Sequence, residues 1–142
     1  MIKVGEHITL DFLGVKKNYE KSFYEKIIYK IAKAAKVEIL NISSHVFQPQ
    51  GFTLVALLSE SHFSFHTFPE RGVISFDFFT CGNVHPKVAL KILKKEIEHE
   101  RVVVNSFNRS SVSLYDDIYS TPGQKKYYVV NNVLETFTSK VG

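Results

Sequence analysis

Between Ser61 and Phe79 polar and large apolar residues take turns along the chain. Ser61-His62-Phe63-Ser64-Phe65-His66-Thr67-Phe68 alternates polar and aromatic side chains, and Ile74, Phe76 and Phe78 alternate with Ser75 and Asp77. A period of two is that of a β-strand, whose successive side chains point to opposite faces. Strands of this kind bury one face and wet the other, as in an antiparallel sheet covered on one side.

The flanking segments fit that sheet. Ile8 to Val15 reads as a strand, with Ile8, Leu10 and Phe12 alternating with Thr9, Asp11 and Leu13. Val37–Phe47 and Thr53–Leu58 are further strands, separated by Pro49-Gln50-Gly51, and Val73–Phe79 follows the Pro69-Glu70-Arg71-Gly72 turn. Arg101–Phe107 and Ser111–Ile118 are later strands. Asn18 is placed to cap a helix over Tyr19–Ala35, with Phe23, Ile27, Ile28, Ile31, Ala34 and Ala35 in one stripe and Lys21, Lys26, Lys30 and Lys33 outside. Pro86 suits the start of a second helix whose stripe is Val88, Ala89, Ile92, Leu93 and Ile97. The expected fold class is α+β: a two-layer sandwich, an antiparallel sheet with two helices on one face, in β-α-β-β-β-α-β order. The tail from Ser120 onward is an added strand or helix, or a cover for a sheet edge.

A chain of 142 residues, 44% hydrophobic, makes one domain and leaves no room for a separate cofactor domain. Cys81 is the single cysteine, so no disulfide forms within the chain. The opening Met1-Ile2-Lys3-Val4-Gly5 lacks the apolar core of a signal peptide, and no apolar run approaches the roughly 20 residues that span a bilayer. The expected address is the cytoplasm, without a membrane partner. The net charge of +4 comes with lysines spread along helical segments, which argues against a nucleic-acid partner.

Chemistry concentrates in Leu57–Gly82, which holds His62, His66, the lone cysteine, the Glu60-Ser61 pair and the Pro69-Glu70 turn. Each residue also has a plain reading. Ser61 is by default a surface hydroxyl, His62 and His66 face solvent on a half-buried strand, and Cys81 packs as a small hydrophobe. His62, His66 and Cys81 could make a three-ligand metal site, but neither a His-x-x-Glu-His nor a Cys-x-x-Cys spacing supports it, and no metal is expected. A serine hydrolase is disfavoured because Ser61 lies in no Gly-x-Ser-x-Gly elbow.

Glu60-Ser61-His62, the His66-Thr67-Phe68-Pro69-Glu70 turn and Phe79-Thr80-Cys81-Gly82 together resemble the self-processing region of the prokaryotic S-adenosylmethionine decarboxylases. Gly5-Glu6-His7-Ile8-Thr9-Leu10-Asp11 is similar to that family's first strand, so the likeness covers roughly residues 5 to 118. It implies self-cleavage between Glu60 and Ser61 into chains 1–60 and 61–142. The Ser61 hydroxyl attacks the Glu60 carbonyl, a base removes the Ser61 Cα proton, and a pyruvoyl group is left at residue 61. His66 is the implied base, since an imidazole accepts a proton at neutral pH. Thr53 stands where the family carries a serine that steadies the processing intermediate. In catalysis the pyruvoyl ketone forms a Schiff base with the substrate amine and takes up the electron pair released with carbon dioxide. Cys81 returns the proton, Glu70 binds the ribose hydroxyls and Phe47 stacks on the adenine. The product is the aminopropyl donor of spermidine synthesis, and the implied assembly is a homodimer paired through its sheets, with the active sites at or near the interface.

Ser61 and His66 point to opposite faces of an ideal strand, so this chemistry calls for a bend or bulge between them, placed at the scissile pair. Three other readings stand beside it. Relatives in the same family decarboxylate arginine or ornithine with the same group. A non-catalytic ferredoxin-like binding module would keep the chain uncut. The third is the metal set of His62, His66 and Cys81.

Overall fold

A computed structural model describes residues 4–81 and 84–109, together with the backbone of two short strands at 127–130 and 133–136. The elements run β1 (Gly5–Leu13), α1 (Lys21–Ala35), β2 (Ile39–Val46), β3 (Phe52–Leu58), β4 (Ser61–Phe68), β5 (Val73–Cys81), α2 (Lys87–Glu96) and β6 (Arg101–Arg109). Strands β1 to β6 form one sheet in the order β2-β3-β4-β5-β1-β6, with every neighbouring pair antiparallel. The α+β sandwich is as expected, but four strands lie between the helices where the expected order has three. The additional one is β4, whose Phe63 and Phe65 are too apolar for a loop and bury completely. A 3₁₀ turn over Pro69–Arg71 joins β4 to β5.

The two-residue period decides the layers. Ile8, Leu10 and Phe12 of β1, Leu54, Ala56 and Leu58 of β3, Phe63 and Phe65 of β4, and Ile74, Phe76 and Phe78 of β5 are all buried against α1 and α2. Each such isoleucine, leucine or phenylalanine contributes roughly 1.5–3 kcal/mol by leaving water. Residues between them face the other, open side and remain partly or well exposed. A one-residue slip in any strand would exchange the two sets, so the register is firmly held.

α1 departs from expectation at its start. It begins at Lys21, Glu20 occupies the cap position without a side-chain hydrogen bond, and Asn18 is not the cap. Tyr19 is engaged elsewhere: its ring stacks on Phe23 at 3.9 Å and its hydroxyl accepts the Glu98 backbone N–H at 2.9 Å. Those contacts hold residues 19 and 20 out of the helix. The buried stripe keeps Ile27, Ile28, Ile31 and Ala35 but takes in Tyr24 and Ala32, while the expected Phe23 is partly buried against the core and Ala34 is not among the buried residues. α2 begins at Lys87, directly after Pro86, and buries Ala89 and Leu93.

β7 (Tyr127–Val130) and β8 (Val133–Thr136) pair as a separate two-stranded sheet. The tail thus contributes strands, and neither is hydrogen-bonded into the six-stranded sheet. The strand expected over Ser111–Ile118 lies outside the described residues. Among the described residues, no helix is long and apolar enough to cross a membrane.

Tyr24 is 2% exposed, beside Phe52 and Phe65. Burial, with a smaller contribution from Tyr19, raises its phenol well above the ordinary value near 10. The unfolded chain therefore releases this proton first, and stability falls as pH rises above about 10, by about 1.4 kcal/mol at pH 11. Urea midpoints at pH 9 and 11 should show that loss, and Tyr24→Phe should reduce it.

Candidate active site

The β3–β4 connection is a two-residue turn, Ser59-Glu60, closed by the pairing of Leu58 with Ser61. Glu60 has φ 63°, the left-handed region that costs a non-glycine residue roughly 1–2 kcal/mol. Ser61 opens β4 and is 7% exposed, on the helix-facing side with Phe63 and Phe65. It is therefore not the surface hydroxyl of the plain reading. Cys81 closes β5 at the same end of the sheet, half-buried and paired in register with Gly5 of β1. A Cβ on Gly5 would collide with the Thr80 carbonyl oxygen, so only glycine allows β1 to approach β5 this closely.

The remaining expected residues gather toward the other end. His66 is exposed on the open face, directly opposite Thr53 in the β3–β4 register, with Thr53 Oγ1 and His66 Nδ1 3.0 Å apart. Depending on the tautomer, either group donates that bond. Phe47 follows β2 and is 46% exposed; its ring meets His45 edge-on at 4.6 Å, and its N–H donates to the Gly51 carbonyl at 2.8 Å. A cavity of about 410 Å³ opens beside it, lined by residues of this loop and of the α1 approach, including Asn18 and Glu20. Glu70 is exposed in the Pro69–Arg71 turn.

One chain therefore splits the expected residues into two groups: Glu60, Ser61 and Cys81 at one end of the sheet, and Phe47, Thr53, His66 and Glu70 toward the other. Ser61 and His66 are about 16 Å apart along an extended strand and face opposite ways. The bend or bulge expected between them is absent: the β3–β4 and β4–β5 registers run unbroken along β4. Phe63 and Phe65 must both stay on the core face, and an extra residue between them would rotate one of them out.

The metal set of His62, His66 and Cys81 is not assembled either. His62 and His66 share the open face, but four strand residues place them about 13 Å apart, too far for one ion.

The open face carries a polar network that the sequence did not reveal. Asp77 of β5 accepts the Ser64 hydroxyl of β4 on Oδ1, and its Oδ2 lies 2.7 Å from His7 Nε2 of β1. His62 Nε2 lies 3.8 Å from the same oxygen. One step along the strands, the Ser75 hydroxyl donates to Asp11 at 2.6 Å. The polar halves of the alternating segments were the available signal. They do not say that β1 inserts beside β5, which is what brings His7 to Asp77.

The profile of the S-adenosylmethionine decarboxylase family matches residues 6–110. A protein named S-adenosylmethionine decarboxylase proenzyme from Parasynechococcus marenigrum is 36% identical over 124 residues, 85% of this chain and 97% of that protein. Its namesake from Methanococcus maripaludis is 35% identical over 115 residues, 79% of this chain and 94% of the other. The crystal structure of the adenosylmethionine decarboxylase from Aquifex aeolicus superposes with a TM-score of 0.70 at 27% identity, covering 82% of this chain and 99% of that one. The Trypanosoma brucei structure shares the fold at 10% identity and a TM-score of 0.53, with 71% of this chain against 45% of that one.

Asp77→Ala should leave the part-buried His7 ring and the Ser64 hydroxyl without their acceptor, lowering the unfolding free energy in urea by roughly 1–2 kcal/mol.

Proposed function

The chain belongs to the S-adenosylmethionine decarboxylase family, and from that premise we propose that it cuts itself between Glu60 and Ser61 and then decarboxylates S-adenosylmethionine, giving the aminopropyl donor for spermidine synthesis. The observation that carries this reading is the turn at the scissile pair. Glu60 is a non-glycine residue held at φ 63°, immediately before a serine sealed from bulk water. Strain in the turn raises the energy of the peptide to be broken, and burial keeps water from competing with the Ser61 hydroxyl.

The processing steps balance on this chain's own atoms. Ser61 Oγ adds to the Glu60 carbonyl carbon, and the C–N bond gives way to an ester. Loss of the Ser61 Cα proton then expels Glu60 as a carboxylate. Water replaces the nitrogen, which leaves as ammonia, and residue 61 ends as a pyruvoyl group. Residue 61 suits that group: it begins a strand, and the cut detaches it only from a turn. When formed, the group supplies a ketone for the substrate amine and an acceptor for the electron pair left by carbon dioxide. Cys81, half-buried at the same sheet end, holds the proton that returns to the substrate Cα.

His66 and Thr53 of one protomer lie too far from its own Ser61 to serve it, so the complete site needs a second copy. Two protomers packed open face to open face about a two-fold axis set the Ser61–Cys81 end of each against the Phe47–Thr53–His66–Glu70 end of the other. Val55 and Leu57, apolar and 44% and 53% exposed on that face, support its being covered. The Ser61 side chain lies on the helix-facing side, so the groups meet at the rim of the sheet, where its Cα proton points away from that side chain and toward the contact. There His66 of the other protomer takes the Cα proton, Thr53 donates to the oxyanion, Glu70 accepts from the ribose hydroxyls and Phe47 stacks on the adenine. The Asn18–Phe52 cavity beside Phe47 gives the nucleoside room. The two pieces stay together after the cut, because β3 of the first piece pairs with β4 of the second and β1 lies between β5 and β6.

Denaturing mass spectrometry of the purified protein should show pieces 1–60 and 61–142, the second beginning with a keto group. It should release carbon dioxide from S-adenosylmethionine and not from arginine or ornithine. Ser61→Ala should remain one chain and lose at least a thousandfold in turnover. An active preparation that is uncut throughout would overturn the proposal.

A further inference from the structure

The His7–His62–Asp77 cluster has no part in the chemistry above, and it is built like a ligand set. Its three donors come from adjacent strands β1, β4 and β5, and their ligating atoms lie within 4.8 Å of one another. We propose that these residues bind one divalent transition-metal ion of the zinc type on the open face of the sheet. The proposal does not depend on self-cleavage or decarboxylation.

Two imidazoles and one carboxylate suit zinc and its neighbours, which take nitrogen and oxygen donors at about 2.0–2.2 Å. In a tetrahedral site such ligands stand about 3.3 Å from each other. His7 Nε2 and Asp77 Oδ2 are 2.7 Å apart, His62 Nε2 and Asp77 Oδ2 3.8 Å, and all three ligand atoms lie within 4.8 Å of one another, so side-chain shifts of roughly 1 Å would close the set on an ion. The hydrogen bond between His7 and Asp77 would be exchanged for two metal bonds.

The surroundings are organised for this. The His7 and His62 ring planes stand at 86° with centroids 6.1 Å apart, so the rings do not stack and both Nε2 atoms can aim at Asp77. Phe107 and Phe79 fix the His7 ring, at 5.3 and 5.6 Å. The second Asp77 oxygen is engaged by the Ser64 hydroxyl, which orients the carboxylate as an outer-shell partner does in metal sites. Among the described residues, the ion-pair partners of Asp77 are these two histidines. Side-chain exposure rises from 17% at His7 to 26% at Asp77 and 43% at His62. The cluster therefore has a sheltered side at His7 and a more open side at His62, and in the face-to-face pair proposed above that open side lies at the contact, where an ion would be shielded from bulk water.

The full-length protein, without a histidine tag and stripped with chelator, should be titrated with Zn²⁺ by calorimetry and with Co²⁺ by visible absorption. The expected result is one ion per chain and an intense cobalt band of four-coordinate geometry. His62→Ala and Asp77→Asn should each weaken binding at least tenfold, Ser64→Ala by a smaller factor, and His66→Ala should bind as the parent does. Should Asp77→Asn fail to fold, the more exposed His62→Ala decides the matter. No saturable binding, undiminished binding in His62→Ala, or loss of binding in Cys81→Ser alone would overturn the proposal.

Discussion

The pleat of the sheet is the constraint from which the rest follows. Aromatic and aliphatic residues at every second position of four adjoining strands must lie under the two helices, and this locks each strand's register to its neighbours. Once that face is sealed, the position of every residue on the opposite face is fixed as well. His66 is held opposite Thr53, and Asp77 is held between Ser64 and His7. The same lock denies β4 the bulge that would bring its first residue and its sixth to one side of the sheet. Under the proposed mechanism, which uses both groups, the lock is what requires them to come from two copies.

What the sequence disclosed and what it withheld follow from the range of the interactions. Alternation within a strand is local, and it identified which of Ile8, Leu10, Phe12, Ile74, Phe76 and Phe78 go inward. The helices were legible by their period, although their boundaries were not. The start of α1 is decided by Tyr19, whose ring and hydroxyl are claimed by Phe23 and by the backbone of Glu98, 79 residues away. β4 was readable as alternating, yet the expected strand order left it out; the core that Phe63 and Phe65 enter is what makes it a full strand of the sheet.

For the candidate site the division is sharper. The Glu60-Ser61-His62 and Phe79-Thr80-Cys81-Gly82 signatures are contiguous and could be recognised directly. The distances between them could not, because they depend on strand order. The cluster around Asp77 draws on residues from three separate parts of the chain, joined only when β1 takes its place between β5 and β6. Polar positions facing outward on three strands are unremarkable singly, and their convergence on one carboxylate is a property of topology.

The central place of β1 also bears on synthesis. Both hydrogen-bonding edges of β1 are committed to strands made after it, β5 and β6, with β2, β3 and β4 between them in the sequence. Until β5 and then β6 have been made, its backbone N–H and C=O groups and its buried-to-be Ile8, Leu10 and Phe12 lack their sheet partners. Such long-range pairing is slow and leaves sticky nascent chains exposed. Insertion of β1 into the sheet is then a late event, and chaperone dependence should be greatest between the synthesis of β1 and that of β6.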